Sequence, residues 1–215
     1  MVGEHPVQIP AGTVRLEGSL NIPQGAAGTV LFAHGSGSSR LSPRNMYVAR
    51  VLQDAGMGTL LFDLLTEEEA ADRAKVFDID LLSERLMAAT DWLQEQALPD
   101  GMRLGYFGAS TGAAAALEAA AKLGPAIAAV VSRGGRPDLA EPHLARVVAP
   151  TLLIVGELDP PVIDLNRAAY DLLNTEKDLA IVPGATHLFE EPGALEQVAE
   201  LASGWFRRFL GSKRE

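Results

Sequence analysis

Short apolar runs recur along this chain, and all but the one at 127–131, which leads into an irregular stretch at 132–149, are followed by a segment with helical periodicity. The run at 29–33 (TVLFA) is the first, and it is joined by 59–62, 103–107, 127–131, 151–155 and 179–182. Runs of this length without polar alternation predict strands buried on both faces. Between them, apolar residues return at helical spacing in five places. One segment starts at Pro43 behind Ser42 and carries Met46, Val48, Val51, Leu52 and Ala55 before Gly56. Another covers 80–96 with Leu82, Leu86, Ala89 and Leu93, and three more lie at 110–122, 162–173 and 194–210. This alternation predicts an α/β fold: a mostly parallel sheet with helices on both faces. Ligands in such sheets bind beyond the carboxyl ends of the strands. Two extended segments, 13–16 and 19–22, flank Glu17-Gly18 and predict an antiparallel hairpin at one sheet edge.

The 215 residues compare with roughly 150 for a typical domain, which predicts a single unit over 1–215. Hydrophobic residues make up 47%, enough apolar surface for one large core. With 28 acidic and 18 basic residues the net charge is −10, which repels phosphate backbones and anionic lipid and argues against a nucleic-acid partner. The absence of Cys excludes disulfides, thiolate zinc sites and a cysteine nucleophile, and it is compatible with the cytoplasm. The first twelve residues lack the basic start and apolar stretch of a secretory leader. The most apolar tract, 113–121, is short and is interrupted by Glu118, so a soluble protein without a membrane partner is expected.

The chemistry starts where the strand at 103–107 runs into Gly108-Ala109-Ser110-Thr111-Gly112, with an Ala-rich helix directly behind. A G-x-S-x-G sequence at a strand-to-helix turn forces its serine into a strained conformation that lifts the hydroxyl above the sheet. Such a hydroxyl is a weak nucleophile until an imidazole takes its proton and a carboxylate orients that imidazole. On this architecture the chain order is Ser, acid, His. Of the four His, only His187 lies downstream of the next acidic loop, in Pro183-Gly184-Ala185-Thr186-His187. The acid is expected in Gly156-Glu157-Leu158-Asp159-Pro160, with Asp159 the first choice and Glu157 the reserve. An acyl-transfer site also needs two backbone N–H groups aimed at the oxyanion. The residue after the nucleophile, Thr111, supplies one, and Ser36 in the glycine loop His34-Gly35-Ser36-Gly37 is expected to supply the other.

Taken in order, HGSGSS at 34–39, GASTG at 108–112, GELDPPV at 156–162 and GATHLF at 184–189 make the chain resemble the α/β-hydrolase superfamily over residues 29–210. Within it, the chain is similar to the compact dienelactone-hydrolase-like enzymes. The resemblance implies an α/β-hydrolase fold, a Ser110–His187–Asp159 triad and an oxyanion hole at Ser36 and Thr111, with no cofactor. The name-giving enzymes use a cysteine nucleophile, whereas this chain has Ser110, so the triad carries over and the particular lactone does not.

Each of these residues has a plainer reading. Ser110 and Asp159 could cap the helices that follow them, His187 could be a loop histidine satisfied by backbone, and His34 is expected to buttress the glycine loop. His5 and His143 read as surface or local packing residues, and no His pair has metal-ligand spacing, so no metal is expected. Arg40 and Arg44 follow the glycine loop, and Arg133 and Arg136 follow the strand at 127–131. They either form a basic mouth for an anionic substrate or pair with Asp63, Asp72 or Asp138, the more common fate of loop arginines. Arg133 and Arg40 are the substrate-binding candidates. The Glu67-Glu68-Glu69 run reads as a solvated loop. Only 132–149 separates two late strands, which leaves no room for a cap domain and predicts a shallow, open site.

The expected protein is therefore a serine hydrolase acting on a small ester, lactone or thioester, anionic or neutral, as a monomer or homodimer. The alternative is a hydrolase fold serving as a non-catalytic binding module or an engineered scaffold.

Overall fold

The computed structural model describes residues 4–96, 98, 99 and 101–211. The sequence readings of the extreme N-terminus, at 1–3, and of the short tail at 212–215 lie outside the described residues. Eight strands form one sheet in the order β1-β2-β4-β3-β5-β6-β7-β8. In chain order they are β1 (Glu4–Ala11), β2 (Val14–Asn21), β3 (Gly28–Ala33), β4 (Gly58–Phe62), β5 (Arg103–Ala109), β6 (Ile127–Arg133), β7 (Thr151–Gly156) and β8 (Lys177–Val182). From β4 to β8 the neighbouring pairs are all parallel, whereas β1–β2 and β2–β4 are antiparallel. This is the expected mostly parallel sheet with an antiparallel edge.

The edge itself differs from expectation. Glu17-Gly18 does not turn but lies within β2, and the hairpin turns at Gly12-Thr13, with Gly12 at φ +64°. The left-handed conformation there suits glycine, so the segment before it, despite Pro6 and Pro10, becomes an outer strand. Proline is tolerated at a sheet edge because no further strand needs its missing N–H.

Eight helices flank or join the strands: α1 (Pro43–Asp54), α2 (Glu67–Ala70), α3 (Arg73–Val76), α4 (Ile79–Gln94), α5 (Thr111–Leu123), α6 (Glu141–Leu144), α7 (Pro160–Leu172) and α8 (Ala194–Leu210). Period-two alternation in the strands divides the core in two. Leu31, Tyr106, Val130 and Leu153 face α4, α5 and α7. Val30, Phe32, Phe107, Val131 and Ile154 face α1 and α8. The β6–β7 connection holds only α6 and a single turn of 3-10 helix at Pro137–Ala140, so no cap domain is inserted there. No helix among the described residues is long and apolar enough to cross a membrane.

Candidate active site

The carboxyl ends of β3, β5, β7 and β8 deliver the four motifs to one edge of the sheet. At the end of β5, Ser110 has φ +51° and ψ −121°. Ser110 and Phe189 are the two non-glycine residues with positive φ among those described. A side chain held there costs about 1–3 kcal/mol, which the surroundings must offset. They do so by close approach: a Cβ on Gly112 would lie 2.2 Å from the Ala33 carbonyl oxygen, and one on Gly108 would lie 2.4 Å from Ala113 Cα. The Ser110 N–H donates to the Arg133 carbonyl at 3.2 Å, which ties the turn to β6.

The capping readings fail for both residues. Neither Ser110 at the start of α5 nor Asp159 at the start of α7 makes a side-chain capping bond. Instead, Asp159 Oδ2 accepts a hydrogen bond from His187 Nδ1 at 2.6 Å. That bond orients the imidazole and directs Nε2 away from the carboxylate. The reserve acid, Glu157, is turned elsewhere and accepts the Gly184 N–H at 2.8 Å. The loop carrying His187 is held further by Glu191, which accepts the Thr186 hydroxyl at 2.6 Å and its N–H at 3.1 Å. These bonds hold the Glu191 carboxyl below the usual carboxylate range. Phe189, at φ +55° and buried, anchors the same loop into the α1/α8 core. The His187 ring packs over Gly134, where a Cβ would lie 3.6 Å from Cε1. Among the described residues the Ser110 hydroxyl forms no hydrogen bond to His187. Catalytic hydrogen bonds often tighten only when substrate is bound.

On the other flank, the Ser36 N–H is not free as expected but donates to Thr111 Oγ1 at 2.9 Å. Thr111 opens α5, so the helix itself makes no use of its N–H. His34 buttresses the loop: its Nε2 accepts the Leu64 N–H at 3.0 Å, and its Nδ1 lies 3.0 Å from the Gly35 carbonyl. This arrangement fits the neutral ring with its proton on Nδ1, and burial lowers the pKa of His34.

The arginines divide. Arg40, a substrate-binding candidate from sequence, pairs with Asp63 through its guanidinium and donates its backbone N–H to the same carboxylate at 2.7 Å. Arg44 meets Glu190 at 3.0 Å, and Arg136 grips Asp138 with two bonds of 2.7 and 2.8 Å. Arg133, only 8% exposed, has no carboxylate among the described residues. It reaches Asn45 Oδ1 at 3.4 Å and lies 5.9 Å from the Phe189 ring centre, with Nε and Nη1 unpartnered. Burial and the neighbouring Arg44 lower its pKa to about 10.

Beside Ser36 and Thr111 lies a cavity of about 580 Å³ that the sequence reading did not anticipate. Its walls include Ser36, Thr111, Leu65, Val76 and Leu82. Sequence reading missed it because the wall is built by the acidic segment taken for a solvated loop. Thr66 and Glu69 form a reciprocal capping box on α2, and Glu69 is buried against Arg85 at 2.9 Å. The T-x-x-E spacing was the available signal. Away from the site, Asp80, Glu118 and His143 bring ligand atoms within 4.8 Å of one another. The Lys122 ammonium supplies a cation there, 2.6 Å from Glu118 and 3.6 Å from Asp80.

A strained serine at the β5–α5 turn, with a carboxylate–imidazole pair at the ends of the next strands, defines an α/β hydrolase. The description "Dienelactone hydrolase family" matches residues 22–210. The chain belongs to that family. It is 58% identical to a dienelactone hydrolase from Anabaena variabilis, whose crystal structure superposes with a TM-score of 0.93 over 96% of this chain and 98% of that one. Est1E from Butyrivibrio proteoclasticus shares the fold at 16% identity and a TM-score of 0.82, covering 96% and 99% of the two chains. A curated protein of Mycobacterium tuberculosis strain H37Rv, provisionally named a phosphoribosyl transferase, is 58% identical over 203 residues. That alignment covers 94% of this chain and 46% of the relative, so the chain spans about half the length of the curated relatives it matches.

Proposed function

We propose that the protein is a serine hydrolase that cleaves a small ester, lactone or thioester through an acyl-enzyme. Ser110 attacks the carbonyl, and His187 takes the hydroxyl proton and returns it to the leaving group. Asp159 holds the imidazole, and the Thr111 and Ser36 N–H groups receive the oxyanion, Ser36 exchanging the Thr111 hydroxyl for the substrate oxygen. The observation carrying this reading is the 2.6 Å bond from His187 to Asp159 at the mouth of a turn that holds Ser110 at φ +51°. A water then attacks the acyl carbonyl, His187 takes its proton, and Ser110 leaves with the proton restored. The reaction needs no cofactor. With Arg40 engaged by Asp63, Arg133 is the arginine left to meet an anionic group on the substrate. The phosphoribosyl-transferase name belongs to chains about twice as long as this one, and we assign that activity to the part this chain does not cover.

The test is hydrolysis of p-nitrophenyl acetate and butyrate by the wild type and Ser110→Ala, beside labelling with a fluorophosphonate probe mapped by peptide mass spectrometry. Loss of a working nucleophile should lower turnover by about 10⁴-fold or more. A wild type that is silent on both esters and takes up no label would make the fold a binding module.

A further inference from the structure

The cavity beside the active site has a definite chemical relation to the catalytic groups. It touches Ser36 and Thr111, the residues assigned to the oxyanion, but neither Ser110 nor His187. In acyl transfer the leaving oxygen must lie within reach of the imidazole that protonates it, so the leaving group points towards His187. The other substituent of the carbonyl carbon then points to the opposite flank, where the cavity opens. Its volume falls within the range of small-molecule pockets. Leu65, Val76 and Leu82 give it apolar walls. Its one arginine, Arg40, is neutralised by Asp63, and Glu67 adds a further negative charge.

We propose that this cavity receives the acyl group of the substrate, that the group is uncharged and largely apolar, and that Val76 and Ala70 set its permitted length. The inference rests on the serine-hydrolase reading and deepens it by naming the acyl class. Ala70 ends α2 and Val76 ends α3, so both side chains sit on the short connection between β4 and α4 that walls the cavity. Leu82 contributes from α4, whose rigid packing against α5 makes it a fixed floor. An acyl chain entering here removes apolar surface from water, while a terminal carboxylate would find no unpaired cation among the lining residues and would face Glu67.

The experiment compares kcat/KM for p-nitrophenyl acetate, butyrate and hexanoate, for the p-nitrophenyl half-ester of adipic acid, and for methyl to hexyl acetates. Fluorophosphonate labelling of Ser110 is followed in the same preparation. The expected result is a rise of about two- to fourfold per methylene along the acyl series, with no comparable rise along the alkyl acetates. The adipate half-ester should be at least about tenfold poorer than hexanoate. Val76→Trp and Ala70→Phe should each lower the hexanoate-to-acetate ratio by about tenfold. Ala70 is exposed, so its variant keeps the test open if Val76→Trp does not fold. A flat acyl series with Ser110 labelled, or a chain-length rise in the alcohol series instead, would overturn the acyl assignment alone. Absence of both label and turnover would overturn the hydrolase reading with it.

Discussion

The two flanks of Ser110 solve opposite problems. On the β3 flank, charges are matched: Arg40 with Asp63, and the buried Glu69 with Arg85. The first of these pairs lines the cavity, and Thr66, Glu67 and Ala70 on either side of Glu69 line it as well. The flank formed by β6, β7 and β8 is built by close packing around His187. Phe189 is driven into a left-handed conformation and the core, Gly134 admits the His187 ring at contact distance, and Arg133 is buried without a carboxylate partner among the described residues. On the proposed reading, one flank receives the acyl group and the other holds the imidazole in place. Precision at a catalytic base requires packing, whereas selectivity for a substrate requires room.

This contrast is broken most strongly at the relay. Asp159→Asn should keep the fold but favour the wrong imidazole tautomer, lowering kcat on p-nitrophenyl butyrate by about 10³–10⁴-fold. Thermal unfolding within a few degrees of wild type would show that the loss is chemical. A drop of less than about tenfold would mean that another carboxylate, with Glu157 the nearest in sequence, can take over.

A smaller effect is expected on the receiving flank. Glu69→Gln leaves Arg85 nearly buried with a weaker partner and should cost about 3 kcal/mol of stability by urea unfolding. Because the Arg85 pair braces the acidic segment whose neighbours Glu67 and Ala70 line the cavity, the hexanoate-to-acetate ratio should fall while Ser110 labelling persists. Unchanged stability would show that the acidic segment is not braced by this pair.

The smallest effect concerns the boundary between the flanks, where His34 joins the glycine loop to the β4 exit. Burial holds the pKa of His34 below its unfolded-state value. The unfolded chain therefore takes up the proton first as pH falls. The stability contributed by His34 is complete above about pH 6.5 and declines as pH drops through that value towards the folded pKa. Melting temperatures of wild type and His34→Gln, measured at pH 7.5 and 5.5, should show a smaller acid-induced drop in the variant. Equal drops would assign the pH dependence to other groups.

Much of this was legible before any coordinates. Buried strands have no polar face, so their continuous apolar runs stand out, and every parallel strand was placed within a few residues. The residues expected as nucleophile, acid and base sit in short contiguous motifs because each occupies a turn after a strand. The N-terminal hairpin was misplaced because Glu17-Gly18 has turn composition, yet the cross-strand partners of β2 keep it extended through Gly18, where a Cβ would lie 3.1 Å from Phe62 Cβ. The cavity wall was misjudged because three consecutive glutamates look solvated unless the arginine that buries one of them is known. That arginine is sixteen positions away.

The amino-acid sequence by itself determined the α/β alternation, the order of the motifs and the residues expected to do the chemistry, since local composition and periodicity encode all three. Only the tertiary structure decided which carboxylate meets His187, which arginines find partners and which is left without one, and where the site has depth. Those outcomes depend on distances between segments remote in the chain, and such distances exist only after the sheet has brought the loops together.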